Sequence, residues 1–187
     1  MSIPALIIGD VTLQPTQRLP TSAFTATPQR SRSFVRAEDG TGYVFDKYEK
    51  YDITISGLAL DTIPGLRRLA QTPFQTIDLY SIVDREEILS ATGTTSTFFS
   101  SRKMRLDDGN LNPVVEYPIG TAVTNSFITF VNTNSIGQIS LSFNPLAGTN
   151  NVLIRYYPVH IGVLTEVTSD YTWNEDEENW NALFQEI

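Results

Sequence analysis

The sequence predicts a mainly β protein with one short helix, and three observations carry that prediction. Gly137–Val159 alternates apolar and polar residues on both sides of a turn rich in Asn, Pro and Gly. A second alternating pair flanks Glu38-Asp-Gly-Thr-Gly42, where Asp-Gly supplies the positive φ angles of a hairpin. Thr, Ser, Val and Ile are abundant, and these residues suit pleated, half-exposed surfaces.

From the N-terminus, residues 3–8 are an apolar run that ends at Gly9-Asp10. Residues 14–30, with Pro15, Pro20 and Pro28 among Thr, Ser and Gln, read as a long extended arm able to reach a neighbouring subunit. Residues 31–37 and 43–48 form the hairpin around Asp39-Gly40, and Tyr51–Gly57 is the strongest single strand. Asp61–Gln71 reads as a helix: Asp61 or Thr62 caps it, Pro64 sits in the first turn, and Ile63, Leu66, Leu69 and Ala70 make its apolar stripe. Pro73 stops it, and residues 74–83 return to strand.

A boundary falls near 84–95, where Asp84-Arg-Glu-Glu-Ile is charged and Ala91–Thr97 is small and polar. Strands follow at about 96–104, 113–119, 125–131, 137–143 and 151–158. In the hairpin expected over 137–158, Ile139, Leu141 and Phe143 share one face, and Val152, Ile154 and Tyr156 repeat the pattern. The tail from Asn174 to Ile187 supports two readings. Trp180, Leu183, Phe184 and Ile187 have helical spacing, with Asn174 and Glu177 as a capping box; a last strand over 180–187 competes.

The chain has 187 residues, enough for one large domain or two small ones. It has no cysteine and a single histidine, His160, which reads as a strand-edge residue. Without thiols, and with one imidazole, the usual nucleophilic triads have no parts. Asp107-Asp-Gly-Asn110 starts like a calcium loop, but Val114 onward is apolar and the frame fails. It reads as an ordinary Asp-Gly turn. Glu175–Glu178 reads as a solvated acidic face. Arg30, Arg32 and Arg36 share a strand face and suit salt bridges between subunits. Arg67-Arg68 and Arg102–Arg105 carry little signal. The aromatics (10 Phe, 8 Tyr, 2 Trp) suit a core better than a carbohydrate-binding face. Net charge −8 disfavours wrapping nucleic acid, and no apolar run is long enough to span a membrane. The start of the chain lacks a signal-peptide pattern. No catalytic, cofactor-binding or metal residue is assigned, no cofactor is expected, and the expectation is a protein that is not an enzyme.

Several stretches resemble a module of tailed-bacteriophage distal tail proteins and related gene-transfer particles. They are Gly93–Phe99, Pro118–Val123, Gly137–Phe143 and Ala147–Val152, with Tyr156-Tyr-Pro-Val159 a weak version of the family's exit motif. The first half and the ending, with Trp180, Phe184 and Glu186, resemble a tail-tube-like β fold. The resemblance implies a ring-forming tail-tube-like β-sandwich or barrel over 1–84 and 159–187, with a small β-sandwich domain inserted over 85–158. It also implies a virion protein assembled in the host cytoplasm. That protein forms a homo-oligomeric ring, a hexamer in the family pattern, which joins the tail tube to the hub or baseplate while DNA passes through the lumen. Other expectations of a different kind are a head–tail joining ring, a capsid decoration protein, or a carbohydrate-binding adhesin module.

Overall fold

A computed structural model describes residues 5–13, 24–36, 42–57, 63–72, 75–108, 111–172 and 177–187. The strands of the first part are β1 (Leu6–Ile8), β2 (Val11–Leu13), β3 (Phe24–Arg36), β4 (Gly42–Gly57) and β5 (Ile77–Tyr80), with helix α1 (Pro64–Gln71) before β5. The middle part contains β6 (Arg85–Ala91), β7 (Thr97–Phe99), β8 (Lys103–Met104), β9 (Val114–Glu116), β10 (Ile128–Asn132), β11 (Gly137–Leu141) and β12 (Gly148–Tyr156). The chain closes with β13 (Pro158–Thr172) and β14 (Glu177–Glu186). The protein is mainly β with antiparallel pairing, and no sheet closes into a barrel among the described residues.

The chain divides into two compact units, Met1–Ile7 with Asp78–His160, and Ile8–Ile77 with Ile161–Ile187. The sequence reading placed its divisions at 84/85 and 158/159. The charged stretch expected to mark a boundary is instead strand β6, paired in register with β12. Its charges alternate: Glu86 and Ile88 face solvent, and Glu86 meets Arg155 of the neighbouring strand.

The first unit is sandwich-like. One sheet has the order β10-β11-β7 and the other β6-β12-β9. Phe98, Ile139 and Leu141 from one sheet pack with Val115, Val152, Ile154 and Tyr156 from the other, together with Ala91 and Met104. Here the sequence reading needs correction. β11 and β12 do not pair as a hairpin; each belongs to a different sheet. The Pro/Gly/Asn segment between them crosses from sheet to sheet, so the two apolar faces oppose one another. Phe143, expected beside Ile139 and Leu141, lies past the end of β11 and is exposed.

In the second unit the order is β13-β14-β4-β3. β3 and β4 form a long hairpin, from Arg36 opposite Gly42 to Phe24 opposite Ile55, with a register shift at Ser31/Arg32. Residues 24–30, read from sequence as part of an arm, are therefore strand. The rest of that arm, 14–23, lies outside the described residues, as does the Glu38–Thr41 part of the turn. The tail is a strand: Trp180, Ala182 and Phe184 are buried at period two, while Asn181 and Gln185 are exposed. Gly162 permits the close approach of β13 and β14, because a Cβ there would collide with the Gln185 carbonyl and meet the Phe184 ring at 2.6 Å.

Helix α1 begins one residue after Ile63, its N-cap, which supplies no side-chain bond; Pro64 occupies the first turn. The capping roles expected of Asp61 and Thr62, and the stop at Pro73, lie outside the described residues. Ile63, Leu66 and Leu69 are buried as the apolar stripe predicts. At its end Thr72 donates its hydroxyl to the Arg68 carbonyl.

Candidate functional site

The features with functional reach are an open strand edge in the second unit and an apolar end of the first, where the Glu116 carboxylate accepts from the Gly120 N–H at 2.9 Å. β3 is the terminal strand of its sheet among the described residues. The direction of its backbone groups follows from one contact. The Tyr51 N–H donates to Glu186 Oε2, toward the β14 side of β4. Tyr51 therefore turns its backbone groups away from β3, and Pro28 opposite it turns its own away from β4. By the same alternation Ala26 and Phe24 direct N–H and C=O to the open side, whereas Thr25, Thr27 and Gln29 spend theirs on β4. Pro28 thus costs the ladder no donor, as expected of a proline in an edge strand. It leaves the open edge with donors at Phe24 and Ala26 and an acceptor alone at Pro28.

The first unit carries exposed apolar side chains at one end. Ile119 is 45% exposed, Phe127 51%, Phe143 37% and Leu146 78%. Backbone and ring contacts bring their segments together. Ser142 N–H donates to the Phe127 carbonyl, the Tyr117 ring lies 6.0 Å from that of Phe143, and the Leu146 N–H donates to the Tyr117 hydroxyl at 2.6 Å. Ile119 sits in the turn closed by Thr121 N–H on the Pro118 carbonyl. Residues 117–154 contain no Asp, Glu, Lys, Arg or His. On the outer face of β10-β11-β7, Val131, Gln138 and Phe99 form one cross-strand row, and Thr129, Ser140 and Thr97 form the next.

Two polar clusters hold the first unit together. Glu87 faces inward beside Ile154. Its carboxylate accepts from the Tyr156 hydroxyl at 2.6 Å, the Ser101 N–H at 2.9 Å, Arg85 Nε at 3.0 Å and the Ser101 hydroxyl. Burial pushes this carboxyl upward, but the Ser101 and Tyr156 bonds and the Arg85 charge outweigh it and hold it below its ordinary value. Burial first, and then the carboxylate it donates to, push the Tyr156 phenol well up. All the groups are engaged with one another, which suits a structural staple between β6, β12 and the Ser100–Arg102 turn.

The second cluster is centred on Arg105, 1% exposed. Its guanidinium takes Asp107 with two bonds, of 2.8 and 3.0 Å, and donates to the carbonyls of Ala5 at 2.6 Å and Ser81 at 3.1 Å. It lies 5.8 Å over the Tyr80 ring. The sequence reading passed over Arg102–Arg105 as uninformative. A hydrophobic neighbour on each side, Met104 and Leu106, was the available hint that the charge is enclosed. Asp107, read as a turn residue, is its partner.

The other candidates fall as follows. His160 is buried in β13. Arg68 pairs with Asp10 at 2.5 Å beside an open cleft of about 510 Å³, both side chains being well exposed. This bond holds the Asp10 carboxyl below its usual value. Arg30, Arg32 and Arg36 lie in β3; Glu175 and Asp176 lie outside the described residues. Among the described residues no three His, Asp or Glu side chains converge as a metal site, and no helix is long and apolar enough to cross a membrane.

No family model matches the chain. The chain is similar to mesoderm induction early response protein 3 of the mouse, Mus musculus, at 30% identity over 119 residues. That stretch covers 63% of this chain, and the chain spans 21% of that protein's length.

Proposed function

We propose that the protein is a structural subunit of a phage tail, one copy of a homo-oligomeric ring at the distal end that joins the tail tube to the hub or baseplate. The observation that carries this reading is the outer edge of β3, which offers donors and acceptors at Phe24 and Ala26 to a strand from another copy. Pairing of β3 with a different strand of the next copy is head-to-tail, and head-to-tail contacts between identical subunits close into a ring when the rotation between copies closes. The sequence resemblance supports a six-membered ring, and net charge −8 suits a lumen along which DNA slides without sticking. β3 is the basic strand of an acidic chain, with Arg30, Arg32 and Arg36 and no acid, which favours an acidic surface of the next copy as its neighbour.

Mass measurement in solution with electron microscopy of the purified protein tests the reading. The expected result is a closed ring, lost on Ala26→Pro, which deletes an open-edge donor and no internal ladder bond. A monomer at every concentration, with and without tail-tube protein, overturns it. The exposed row of Val131, Gln138 and Phe99 favours a second reading, a carbohydrate-binding module; its test is glycan binding by the isolated protein that Phe99→Ala abolishes.

A further inference from the structure

We infer that the free side of β10, in the first unit, is a strand-addition site that takes one extended segment of another protein. That segment is apolar at alternate positions, uncharged along its middle and basic at its flanks. The site is on a different strand from the β3 edge and does not rest on the ring.

The direction of the β10 backbone follows from bonds on both sides of β11. Ser142 N–H donates to the Phe127 carbonyl at 2.9 Å, so by alternation Thr129 and Val131 spend their backbone groups on Ser140 and Gln138. On the other side of β11, Leu141 N–H donates to the Ser96 carbonyl at 2.8 Å and Ser100 N–H to the Gly137 carbonyl at 2.9 Å, in step with that alternation. Ile128, Phe130 and Asn132 therefore turn their backbone groups away from β11. The Ile128 N–H is spent on the Asn125 carbonyl. The Ile128 carbonyl and both groups of Phe130 and Asn132 meet no hydrogen-bond partner among the described residues.

Sheets block stray pairing at their edges, so an unguarded edge is informative. The two sheets of the first unit end in β6, β7, β9 and β10. β6 carries Arg85, Glu86 and the inward-facing Glu87. β7 is short, and the Thr95 hydroxyl accepts the Thr97 N–H at 3.3 Å and donates to the Thr97 carbonyl at 3.2 Å. β9 is covered by the chain that follows it: Val123 N–H donates to the Val115 carbonyl and Tyr117 N–H to the Thr121 carbonyl, both at 2.8 Å. β10, Ile-Thr-Phe-Val-Asn, has no charge, no proline and an unbroken register with β11.

The free groups select the form of the occupant. Donors and acceptors that recur at alternate residues along one line match an extended backbone. The side chains select its pattern. Ile128 and Phe130 pack on the core but stay only partly buried, whereas Ile139 and Phe98 on the neighbouring strands are buried. Apolar side chains from an added strand complete that cover. Thr129 and Val131, on the outer face, are exposed and uncharged and take neutral neighbours. Net charge selects the source: at −8, copies of this chain repel one another, and a segment with Lys or Arg flanks is drawn in.

The test is amide hydrogen exchange read by NMR on the full-length protein, with the peptide Lys-Lys-Thr-Val-Thr-Ile-Thr-Val-Thr-Lys-Lys as probe. Without peptide, Phe130 and Asn132 should exchange fast, and Thr129 and Val131, bonded to β11, slowly. Saturating peptide should slow Phe130 and Asn132 by at least about tenfold. In a strand added antiparallel, as β7, β10 and β11 pair, the Val and Ile residues of the peptide turn their N–H groups to β10. Peptide N-methylated at those residues should not bind, and peptide N-methylated at the central Thr should. Phe130→Lys, which gives β10 an inward charge like that of β6, should abolish binding; the methylated peptides carry the test if that variant does not fold. No protection at millimolar peptide overturns the inference, as does slow exchange of Phe130 and Asn132 in dilute protein alone. Equal binding by the two methylated peptides overturns it, because the contact would then not be the backbone edge. Protection that rises with protein concentration in the absence of peptide gives the edge to a second copy and overturns it too.

Discussion

Two stretches of this chain carry the same alternating pattern around a turn, and they fold differently. Residues 24–57 make a hairpin, with β3 and β4 paired side by side. Residues 137–156 make an arch, with β11 and β12 in separate sheets whose apolar faces oppose one another. In the hairpin, Ile53 and Ile55 lie on one face of one sheet. In the arch, Ile139 and Leu141 look across a core at Val152, Ile154 and Tyr156. Alternation reports which face of a strand is buried; it does not report which strand lies alongside.

The largest effect that sharpens this contrast is in the arch. Ile154→Ala removes a fully buried side chain from between the sheets and should cost about 2–5 kcal/mol in urea unfolding. A loss under about 1 kcal/mol would mean that the two faces do not meet. Next is the hairpin. Thr27 directs its N–H to β4, so Thr27→Pro orphans a ladder acceptor and should cost about 1–3 kcal/mol. Ala26→Pro, one residue away, should leave the melting temperature of the unassembled subunit nearly unchanged. Equal costs at the two positions would refute the alternation drawn from the Tyr51–Glu186 contact.

Smaller still is a pH effect on the arch side, at Glu87 of β6. The unfolded carboxyl titrates near 4.5 and the folded one lower. The unfolded chain therefore binds more protons in between, and the stability from this group is complete above the unfolded value and lost as pH falls through the folded one. Glu87→Gln should cost about 1 kcal/mol at neutral pH. Its stability should also fall less steeply than the parent's on acidification, read by thermal melts from neutral pH downward. Parallel curves would show that the staple does not titrate. The gentlest test uses the absence of native cysteine. Thr129→Cys with Ser140→Cys, opposite one another on β10 and β11, should close a disulfide on oxidation; Ser140→Cys with Leu153→Cys, on different sheets, should not.

Much of the β architecture was legible in the residues, for a local reason. Strand positions, the buried faces of β4 and β11, the pairing of β3 with β4 and the stripe of α1 all follow from spacing along a few residues. What was not legible is set at long range. The partners of β11 and β12 depend on β6, β7, β9 and β10, which arrive from elsewhere in the chain. The tail has apolar residues compatible with two periods, and only its place between β13 and β4 selects period two, burying Trp180, Ala182 and Phe184. The charges of Arg85–Glu87 read as a boundary because their partners, Arg155 and Tyr156, lie far along the sequence. Arg105 was missed for the same reason: its enclosure depends on Ala5 and Ser81. The Ala26/Pro28 alternation at the open edge follows from pairing and cannot be read from β3 alone, and the end formed by Ile119, Phe127, Phe143 and Leu146 is assembled from three loops.

The run of neutral residues from Tyr117 to Ile154 has a practical corollary. It contains no amine and no carboxylate side chain for the common coupling reagents to grip. A sensor surface or bead charged with this protein by either chemistry holds it through residues outside that run.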